Sequence, residues 1–242
     1  MSPAIVGKAR STLRDGPWSH ALPVVPPPTI PTRLALTSSP CIVIPAAGLG
    51  SRFLGDGHKL VQQVDGHAVL EHTLRNAKAS GLPVLLVTTA PIAEQARAVI
   101  DLRHIVVLPA VGEAGIAHGA TTGSPGMGTS IAAGVAARPD ASGWLILPGD
   151  MPLVRADTLH AVALALTRHA VVQACHGGER GHPVGFSAEH SDALLALDGD
   201  EGARRIVARQ GAFLCEVDDP GVRVDIDTLD DLARLRSHFA SG

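Results

Sequence analysis

Short apolar runs alternate with amphipathic segments along most of the chain. Residues 41–45 (CIVIP) are apolar and rich in β-branched side chains, a pattern typical of a buried strand. Residues 68–79 repeat apolar side chains on one face of a helix, and residues 82–88 predict a second buried strand. Further strands are predicted at 104–108, 144–147, 170–174 and 213–217, and further helices at 92–100, 131–137, 157–169, 189–197, 201–209 and 229–239. Alternation at these lengths predicts an α/β fold with a doubly wound, mostly parallel sheet flanked by helices.

The first 39 residues lack this alternation. They include the proline-dense stretch VVPPPTIP at 24–31, a composition that favours an extended, unpacked chain. We therefore expect a disordered, proline-rich extension over residues 1–39 and a single domain over residues 40–242, a length that suits one α/β domain. No apolar run in the sequence approaches the length needed to span a bilayer.

Composition and charge exclude several classes of function. The net charge of −3 and the aromatic content of 2%, with no tyrosine, offer neither the positive surface nor the stacking platforms that nucleic-acid binding uses. The three cysteines, Cys41, Cys175 and Cys215, are odd in number and have no paired spacing, which favours reduced thiols in a cytoplasmic protein. We expect small-molecule substrates, and no nucleic-acid or membrane partner.

The segment after the first predicted strand has the features of a phosphate site. It reads Ala46, Ala47, Gly48, Leu49, Gly50 and Ser51, a run of small residues apart from the leucine. Without bulky side chains in the way, the backbone N–H groups of such a loop can approach an anion closely. Arg52 and Lys59 follow, and both cations suit phosphate oxygens. The P-loop and the dinucleotide fingerprint do not fit, because Asp56-Gly57 replaces the Lys-Ser/Thr pair and Phe53 replaces the third glycine. An ordinary glycine-rich turn is the alternative.

Carboxylates occur at the end of one later predicted strand and within another. Asp150 comes at the carboxyl end of the fourth strand, where sheets of this class bind ligands, and magnesium favours one or two carboxylates together with substrate phosphates. The alternative role of Asp150 is to cap the next helix, although Asp157 is better placed for that cap. Residues 222–228 alternate like a half-buried strand, with Asp225 and Asp227 on one face. A second carboxylate from this pair would complete a magnesium site.

Two more segments contain small and polar residues. Residues 126–130 (GMGTS) lead into the predicted helix at 131–137, and such a loop can hold a base or ribose against the backbone. A flexible connection with a Ser/Thr cap is the alternative. Residues 181–186 (GHPVGF) predict a rigid polar turn before a short apolar strand.

Six motifs together resemble the nucleotidyltransferases that activate molybdopterin, in particular the molybdenum-cofactor cytidylyltransferases. The matching stretches are PAAGLGSR with Lys59, GMGTSIAAGV, PGDMPLV, GHPVGF, GDEGARR and VDIDTLDDL, in the family's order from about residue 41 to the C-terminus. The resemblance implies a Rossmann-like domain of the nucleotide-diphospho-sugar transferase type that uses CTP and magnesium, or manganese in its place. Its implied reaction joins CMP to the terminal phosphate of the molybdenum–molybdopterin cofactor and releases pyrophosphate. It also implies transient contact with a molybdoenzyme or its maturation chaperone.

The resemblance also assigns roles to individual residues. It implies that the nucleotide is bound by Ala46, Ala47, Gly48, Leu49, Gly50, Arg52, Lys59 and Gly128. It implies a metal held by Asp150 and Asp227, with Asp225 in reserve, and a pterin substrate bound by Gly181, His182 and Pro183. Arg52 and Lys59 are the implied catalytic residues. Ala46-Ala47-Gly48 resembles the cytidylyl form of the loop, since guanylyl relatives usually carry two glycines there.

Rival functions use the same features. Guanylyl transfer from GTP to the same cofactor, or cytidylyl transfer to a sugar or polyol phosphate, fits the same fold. A non-catalytic carrier of nucleotide or cofactor is a third alternative. The two cations and the acidic positions argue against it, because a pure binding protein has less need of a metal-centred site.

Overall fold

The computed structural model of the chain describes residues 39–48, 50, 52–109 and 125–240. Within them the strands are β1 (Cys41–Ala46), β2 (Gln63–Val64), β3 (His67–Ala68), β4 (Val84–Thr88), β5 (Ile105–Val107), β6 (Gly143–Ile146), β7 (Val171–His176), β8 (Glu179–Ser187) and β9 (Phe213–Glu216). The helices are α1 (Val69–Ala79), α2 (Ala90–Ala96), α3 (Met127–Ala136), α4 (Ala156–Ala165), α5 (Ser191–Leu195), α6 (Arg204–Gln210) and α7 (Leu229–Ala240). The predicted extension, apart from its last residue, lies outside the described residues, as do Leu49 and residues 110–124.

Seven of these strands form the central sheet, in the order β5-β4-β1-β6-β8-β7-β9. Every neighbouring pair is parallel except the two pairs that contain β8. β2 and β3 form a separate antiparallel ribbon. The predicted doubly wound, mostly parallel α/β sheet is therefore confirmed. Across the described ranges, no helix is both long and apolar enough to cross a membrane.

Both faces of β1 are buried, which explains why its sequence is an unbroken apolar run. Ile42 and Ile44 pack with buried residues of α1, α2 and α4 on one side of the sheet. Cys41 and Val43 pack with buried residues of α3, α5 and α6 on the other side. Parallel strands covered by helices on both faces have this composition. Full burial of one such isoleucine contributes about 1.5–3 kcal/mol, so β1 holds the middle of the sheet firmly.

A two-residue hairpin reverses the chain between β7 and β8. Gly177 and Gly178 have φ angles of +59° and +77°, and a type I′ turn needs positive φ at both central positions. β8 then pairs with β6 and β7 and continues without a break to Ser187. The polar turn predicted at the start of residues 181–186 is wrong, because this pairing makes its residues part of the strand; the short apolar strand predicted after it lies within β8. The Gly-Gly pair was the sequence signal for the real turn.

Two further local predictions are wrong at their boundaries. Helix α3 begins at Met127 instead of residue 131, so the predicted loop forms its first turn. Residues 222–228 do not form a strand: a 3-10 helix covers Pro220–Arg223, and irregular backbone follows it. In both cases residues from distant parts of the chain pack against the segment and override its local pattern.

The predicted cap of α4 is also wrong. Asp157 lies in the first turn, and the helix is capped instead by Asp219, a buried residue from a later loop. Oδ2 of Asp219 accepts hydrogen bonds from the backbone N–H of Arg155 (2.8 Å) and from the hydroxyl of Thr158 (2.6 Å). The N–H of Gly221 donates to Oδ1 of the same carboxylate (3.0 Å). Asp150 is therefore free of any capping role at this helix.

Candidate active site

The candidate site lies where β1 and β6 end. The N–H of Gly149 donates to the carbonyl of Pro45 (3.1 Å), which carries the parallel pairing beyond β6 and brings Asp150 beside the loop that follows β1. The carbonyl of Gly149 accepts a hydrogen bond from the hydroxyl of Thr73 in α1 (3.0 Å). A Cβ at position 149 would lie 3.1 Å from the Cβ of Ala46, so a larger residue would push the two loops apart.

The segment before α7 brings two more carboxylates to this edge. Ile226 is fully buried in a small cluster with Phe53, Val64, Val69, Leu232 and Leu235. Its N–H donates to the carbonyl of Asp150 (3.0 Å). Because Ile226 points inward and is bonded to Asp150 through its backbone, the residues on either side of it, Asp225 and Asp227, are held next to Asp150.

A reciprocal cap at the start of α7 fixes the end of this segment. The N–H of Thr228 donates to Oδ2 of Asp231 (2.9 Å), and the N–H of Asp231 donates to the hydroxyl oxygen of Thr228 (3.2 Å). This is a capping box with aspartate in the place of the usual glutamate. The N–H of Asp227 also donates to Oδ2 of Asp231 (3.3 Å), which ties the metal-ligand candidate to the helix.

Two cations contact these carboxylates, and one of them, Lys59, bridges Asp150 and Asp227. Nζ of Lys59 lies 2.6 Å from Oδ2 of Asp150 and 2.6 Å from Oδ1 of Asp227. Arg52 donates from Nη1 to the other oxygen of Asp227, Oδ2, at 2.6 Å. The side chain of Lys59 is 11% exposed and that of Arg52 is 79% exposed. Lys59 is therefore the shielded centre of the cluster, and Arg52 lies at its rim.

The loop after β1 is shaped around Lys59. Gly50 has a φ angle of +62°, and a Cβ there would lie 3.2 Å from Cγ and 3.3 Å from Cδ of Lys59. Position 50 thus needs glycine both for its backbone conformation and for the passage of the lysine stem. His58 joins the two segments: its Nε2 donates to the carbonyl of Gly48 (2.7 Å), and its Nδ1 accepts from the N–H of Leu60 (3.2 Å).

Sequence reasoning missed His58. Its Nδ1 is an acceptor in this structure, so its proton is on Nε2 and is directed at the glycine loop. The only signal was its place directly before Lys59, and a single histidine at that place has no pattern of its own. The geometry therefore adds a residue that positions the loop relative to Lys59.

The charges at this edge perturb two ionisation equilibria. Burial would lower the pKa of Lys59, but the charge of Asp150 and hydrogen bonds to Asp150 and Asp227 outweigh it and raise the pKa. Partial desolvation raises the pKa of Asp225, and the negative charges of Asp150 and Asp227 act in the same direction. Lys59 is thus firmly cationic at neutral pH, whereas the ionised form of Asp225 is disfavoured by its neighbours.

His182 reaches the same cluster from β8. Burial lowers the pKa of His182; a hydrogen bond to the backbone of Ile146 and the charges of Asp150 and Asp225 oppose this shift, and the charge of Arg204 adds to it. Nδ1 of His182 is buried and has no hydrogen-bond partner among the described residues. The structure therefore brings a neutral imidazole with an unused polar atom near the carboxylates.

The other residues of the GHP segment have packing roles. A Cβ at Gly181 would lie 2.2 Å from the carbonyl oxygen of Val222, so only glycine fits there. The carbonyl of Gly181 accepts a hydrogen bond from the side-chain amide of Gln173 (3.1 Å). Pro183 is buried. Of the three residues predicted to bind substrate, His182 is the one on which the charges of the site carboxylates Asp150 and Asp225 act.

The remaining predicted nucleotide contacts are spread along the loop. Ala46 and Ala47 are buried, and the carbonyl of Ala46 accepts a hydrogen bond from the hydroxyl of Thr88 (2.9 Å). Gly48 is exposed, and a Cβ there would contact nothing within 4 Å. Leu49 lies outside the described residues. An open Gly48 beside two buried alanines fits a loop whose backbone approaches a ligand at one point.

Gly128 is packed against a different part of the chain. Its N–H donates to the carbonyl of Gly199 (2.8 Å), and a Cβ would lie 2.5 Å from the carbonyl oxygen of Glu201. The hydroxyl of the next residue, Thr129, donates to the carboxylate of Asp198 (3.0 Å). This close approach explains the glycine at position 128, and its contact with a nucleotide stays a prediction.

The carboxylates suit a hard divalent cation. Oδ1 of Asp150 is buried without a hydrogen-bond partner in the described part of the chain, as a metal ligand would be. Across the described ranges no group of three or more His, Cys, Asp or Glu side chains could hold a metal ion by itself. Magnesium at phosphoryl-transfer sites typically takes one or two carboxylates and completes its shell with substrate phosphates and water. Asp150 and Asp227 fit that pattern.

The sequence matches a family of NTP transferase domains. Residues 42–213 match the family model described as the MobA-like NTP transferase domain. The chain belongs to this family. The matched residues include the ends of β1 and β6, beside which the cation–carboxylate cluster lies.

Several individual proteins are also similar to this chain. The chain is 29% identical over 185 residues to the bifunctional protein GlmU of Xylella fastidiosa (strain M23), an alignment that covers 72% of this chain and 36% of the relative. The chain thus spans about a third of the length of this curated relative. Among solved structures it is similar to Rv0371c from Mycobacterium tuberculosis H37Rv (TM-score 0.68, 26% identity, 84% of this chain and 100% of that one). A complex of Rv0371c with manganese is also similar (TM-score 0.64, 25% identity, 83% and 99%).

Proposed function

We propose that this protein transfers CMP from CTP to the terminal phosphate of the molybdenum–molybdopterin cofactor, giving molybdopterin cytosine dinucleotide and pyrophosphate. One observation carries the proposal: the ammonium of Lys59 lies 2.6 Å from oxygens of both Asp150 and Asp227, with Arg52 on the far oxygen of Asp227. Cations and paired carboxylates in this arrangement suit a nucleoside triphosphate and its metal ion. Membership of the MobA-like family supports nucleotidyl transfer in general.

The reaction requires positioning and neutralisation of charge more than covalent help. An oxygen of the acceptor phosphate attacks the α-phosphorus of CTP in line and forms a new P–O bond. The bond between the α-phosphorus and the oxygen that bridges to the β-phosphate breaks, and pyrophosphate leaves with that electron pair. Arg52 and Lys59 neutralise the charge that builds on the transferred group and on pyrophosphate. Asp150 and Asp227 would hold magnesium, or manganese, which when bound withdraws charge from the triphosphate oxygens.

The loop Ala46-Ala47-Gly48 supports the choice of CTP. It resembles the cytidylyl form of this loop, and both alanines are buried beside the end of β1. His182 would face the pterin acceptor between Gly181 and Pro183, and the product would pass to a molybdoenzyme or its maturation chaperone through transient contact.

The decisive experiment measures pyrophosphate release from CTP and from GTP, with magnesium, in the presence and absence of molybdopterin cofactor. Release with CTP that requires the cofactor supports the proposal. Asp150→Asn should remove most of this activity, whereas Asp192→Asn, which changes an exposed carboxylate of α5, should not. Release with GTP would instead indicate guanylyl transfer. Release with CTP only when a sugar or polyol phosphate is supplied would indicate that acceptor, and tight CTP binding without release would indicate a carrier.

A further inference from the structure

Both carboxylate oxygens of Asp227 accept hydrogen bonds from cationic side chains of the protein. Oδ1 accepts from Lys59 and Oδ2 accepts from Arg52, each at 2.6 Å. A magnesium or manganese ion would need one of these oxygens at about 2.0–2.2 Å. Two cations crowded on one carboxylate oxygen repel each other strongly in a shielded site. A metal that binds Asp227 therefore has to displace Lys59 or Arg52.

Lys59 is the cation that competes most directly. Its Nζ bonds to both proposed metal ligands, since it lies 2.6 Å from Oδ2 of Asp150 as well as from Oδ1 of Asp227. Its side chain is 11% exposed, whereas that of Arg52 is 79% exposed and its ion pair is screened by water. The ammonium thus lies between the same two carboxylates that would hold a metal.

We propose that Lys59 and the divalent metal bind Asp227 in exchange. A metal held at Oδ1 of Asp150, an atom with no hydrogen-bond partner within the described ranges, gains Asp227 as its second carboxylate only when the Lys59 ammonium leaves Asp227. This inference rests on the metal ligands assigned in the proposed function. The stem of Lys59 lies along Gly50, where Cγ and Cδ would be 3.2 Å and 3.3 Å from a Cβ. The exchange therefore requires movement only of the part of the side chain beyond this contact, which would leave the ammonium available to the proposed triphosphate.

The exchange has a consequence for the order of events. As long as Lys59 neutralises the carboxylates, metal alone binds weakly. A triphosphate offers the displaced ammonium a new anionic partner, so metal and nucleotide favour each other's binding. Lys59 therefore neutralises the metal ligands in the free protein and contacts the nucleotide once metal and nucleotide have bound.

The test measures Mn²⁺ affinity of the full chain, after treatment with a chelator and without nucleotide, by electron paramagnetic resonance of free Mn²⁺. Lys59→Met keeps the length of the stem and removes the charge, and it should bind Mn²⁺ at least about tenfold more tightly than wild type. Lys59→Gln should also bind Mn²⁺ more tightly than wild type. It provides a second test if Lys59→Met does not fold. Lys78→Met removes an exposed lysine of α1 and should leave the affinity unchanged. Arg52→Met should tighten binding less than about threefold.

Two outcomes would overturn the exchange in different ways. If both Lys59 variants bind Mn²⁺ no more tightly than wild type, while Asp150→Asn abolishes binding, the metal site stands and the exchange is refuted. If Asp150→Asn leaves Mn²⁺ binding unchanged, the ion binds elsewhere, and the assignment of the metal ligands fails together with the exchange. Neither result depends on CTP or on the pterin, so each is separate from the choice of substrates.

Discussion

Replacement of Gly50 by alanine would test whether the glycine loop positions Lys59. Gly50 has a φ angle of +62°, and its new Cβ would lie 3.2 Å and 3.3 Å from Cγ and Cδ of Lys59. Contacts of this length require the neighbour to give by a few tenths of an ångström. Because Nζ of Lys59 is bonded to two carboxylates at 2.6 Å, a shift of its stem disturbs both bonds.

Gly66 offers a matched control. It has a φ angle of +74° in the turn between β2 and β3, and a Cβ there would contact nothing within 4 Å. Alanine at either position has to adopt a left-handed conformation, which costs about 1–2 kcal/mol. We expect a similar loss of unfolding free energy in both variants. Only Gly50→Ala should lose activity, by about 10- to 100-fold, the scale for small misplacements of a catalytic group.

The assay compares the initial rate of pyrophosphate release with urea unfolding for the two variants and wild type. The rates of pyrophosphate release of Gly50→Ala and Gly66→Ala should differ, although their free energies of unfolding should match. Equal activity losses, or full activity in Gly50→Ala, would refute the claim that the contact with Gly50 positions Lys59.

Four further variants test the site carboxylates, Lys59 and the buried Asp219. Asp150→Ala or Lys59→Ala should each lower the rate of pyrophosphate release at least about a hundredfold; rates within a fewfold of wild type would contradict their assignment. Asp225→Asn should raise the free energy of unfolding at pH 7, because ionised Asp225 is disfavoured in the fold. This gain should vanish below pH 3.8, as urea titrations at several pH values would reveal. Asp219→Ala leaves three donors unpaired and should cost about 3 kcal/mol or more in urea unfolding; a loss under about 1 kcal/mol would contradict its capping role.

The strands of the sheet could be predicted because their local pattern is strong. β1 is buried on both faces, and its unbroken apolar run reports that burial directly. The short segments were harder. The GHP residues were predicted as a turn, but pairing with β6 and β7 keeps them in β8, and such pairing depends on strands that lie elsewhere in the sequence.

The residues before α7 are a second segment whose structure could not be predicted from the local pattern. Their alternation of Val224, Asp225, Ile226 and Asp227 was predicted as a strand, yet the segment joins no strand and is held by the buried Ile226 and its bond to Asp150. Alternation predicted that Asp225 and Asp227 face away from Val224 and Ile226; Ile226 is buried, whereas Val224 is exposed. The alternation could not indicate which element the segment packs on.

By itself, the sequence determined the alternation of strands and helices, the small-residue loop after β1, and the chemical types of the site residues. These features are local, because they follow from side-chain size, charge and periodicity over a few positions. Only the tertiary structure decided that Lys59 bonds to Asp150 and Asp227, which lie 91 and 168 positions away in the chain. Such contacts depend on how the sheet, Ile226 and α7 pack together, and no short-range pattern encodes the resulting distances.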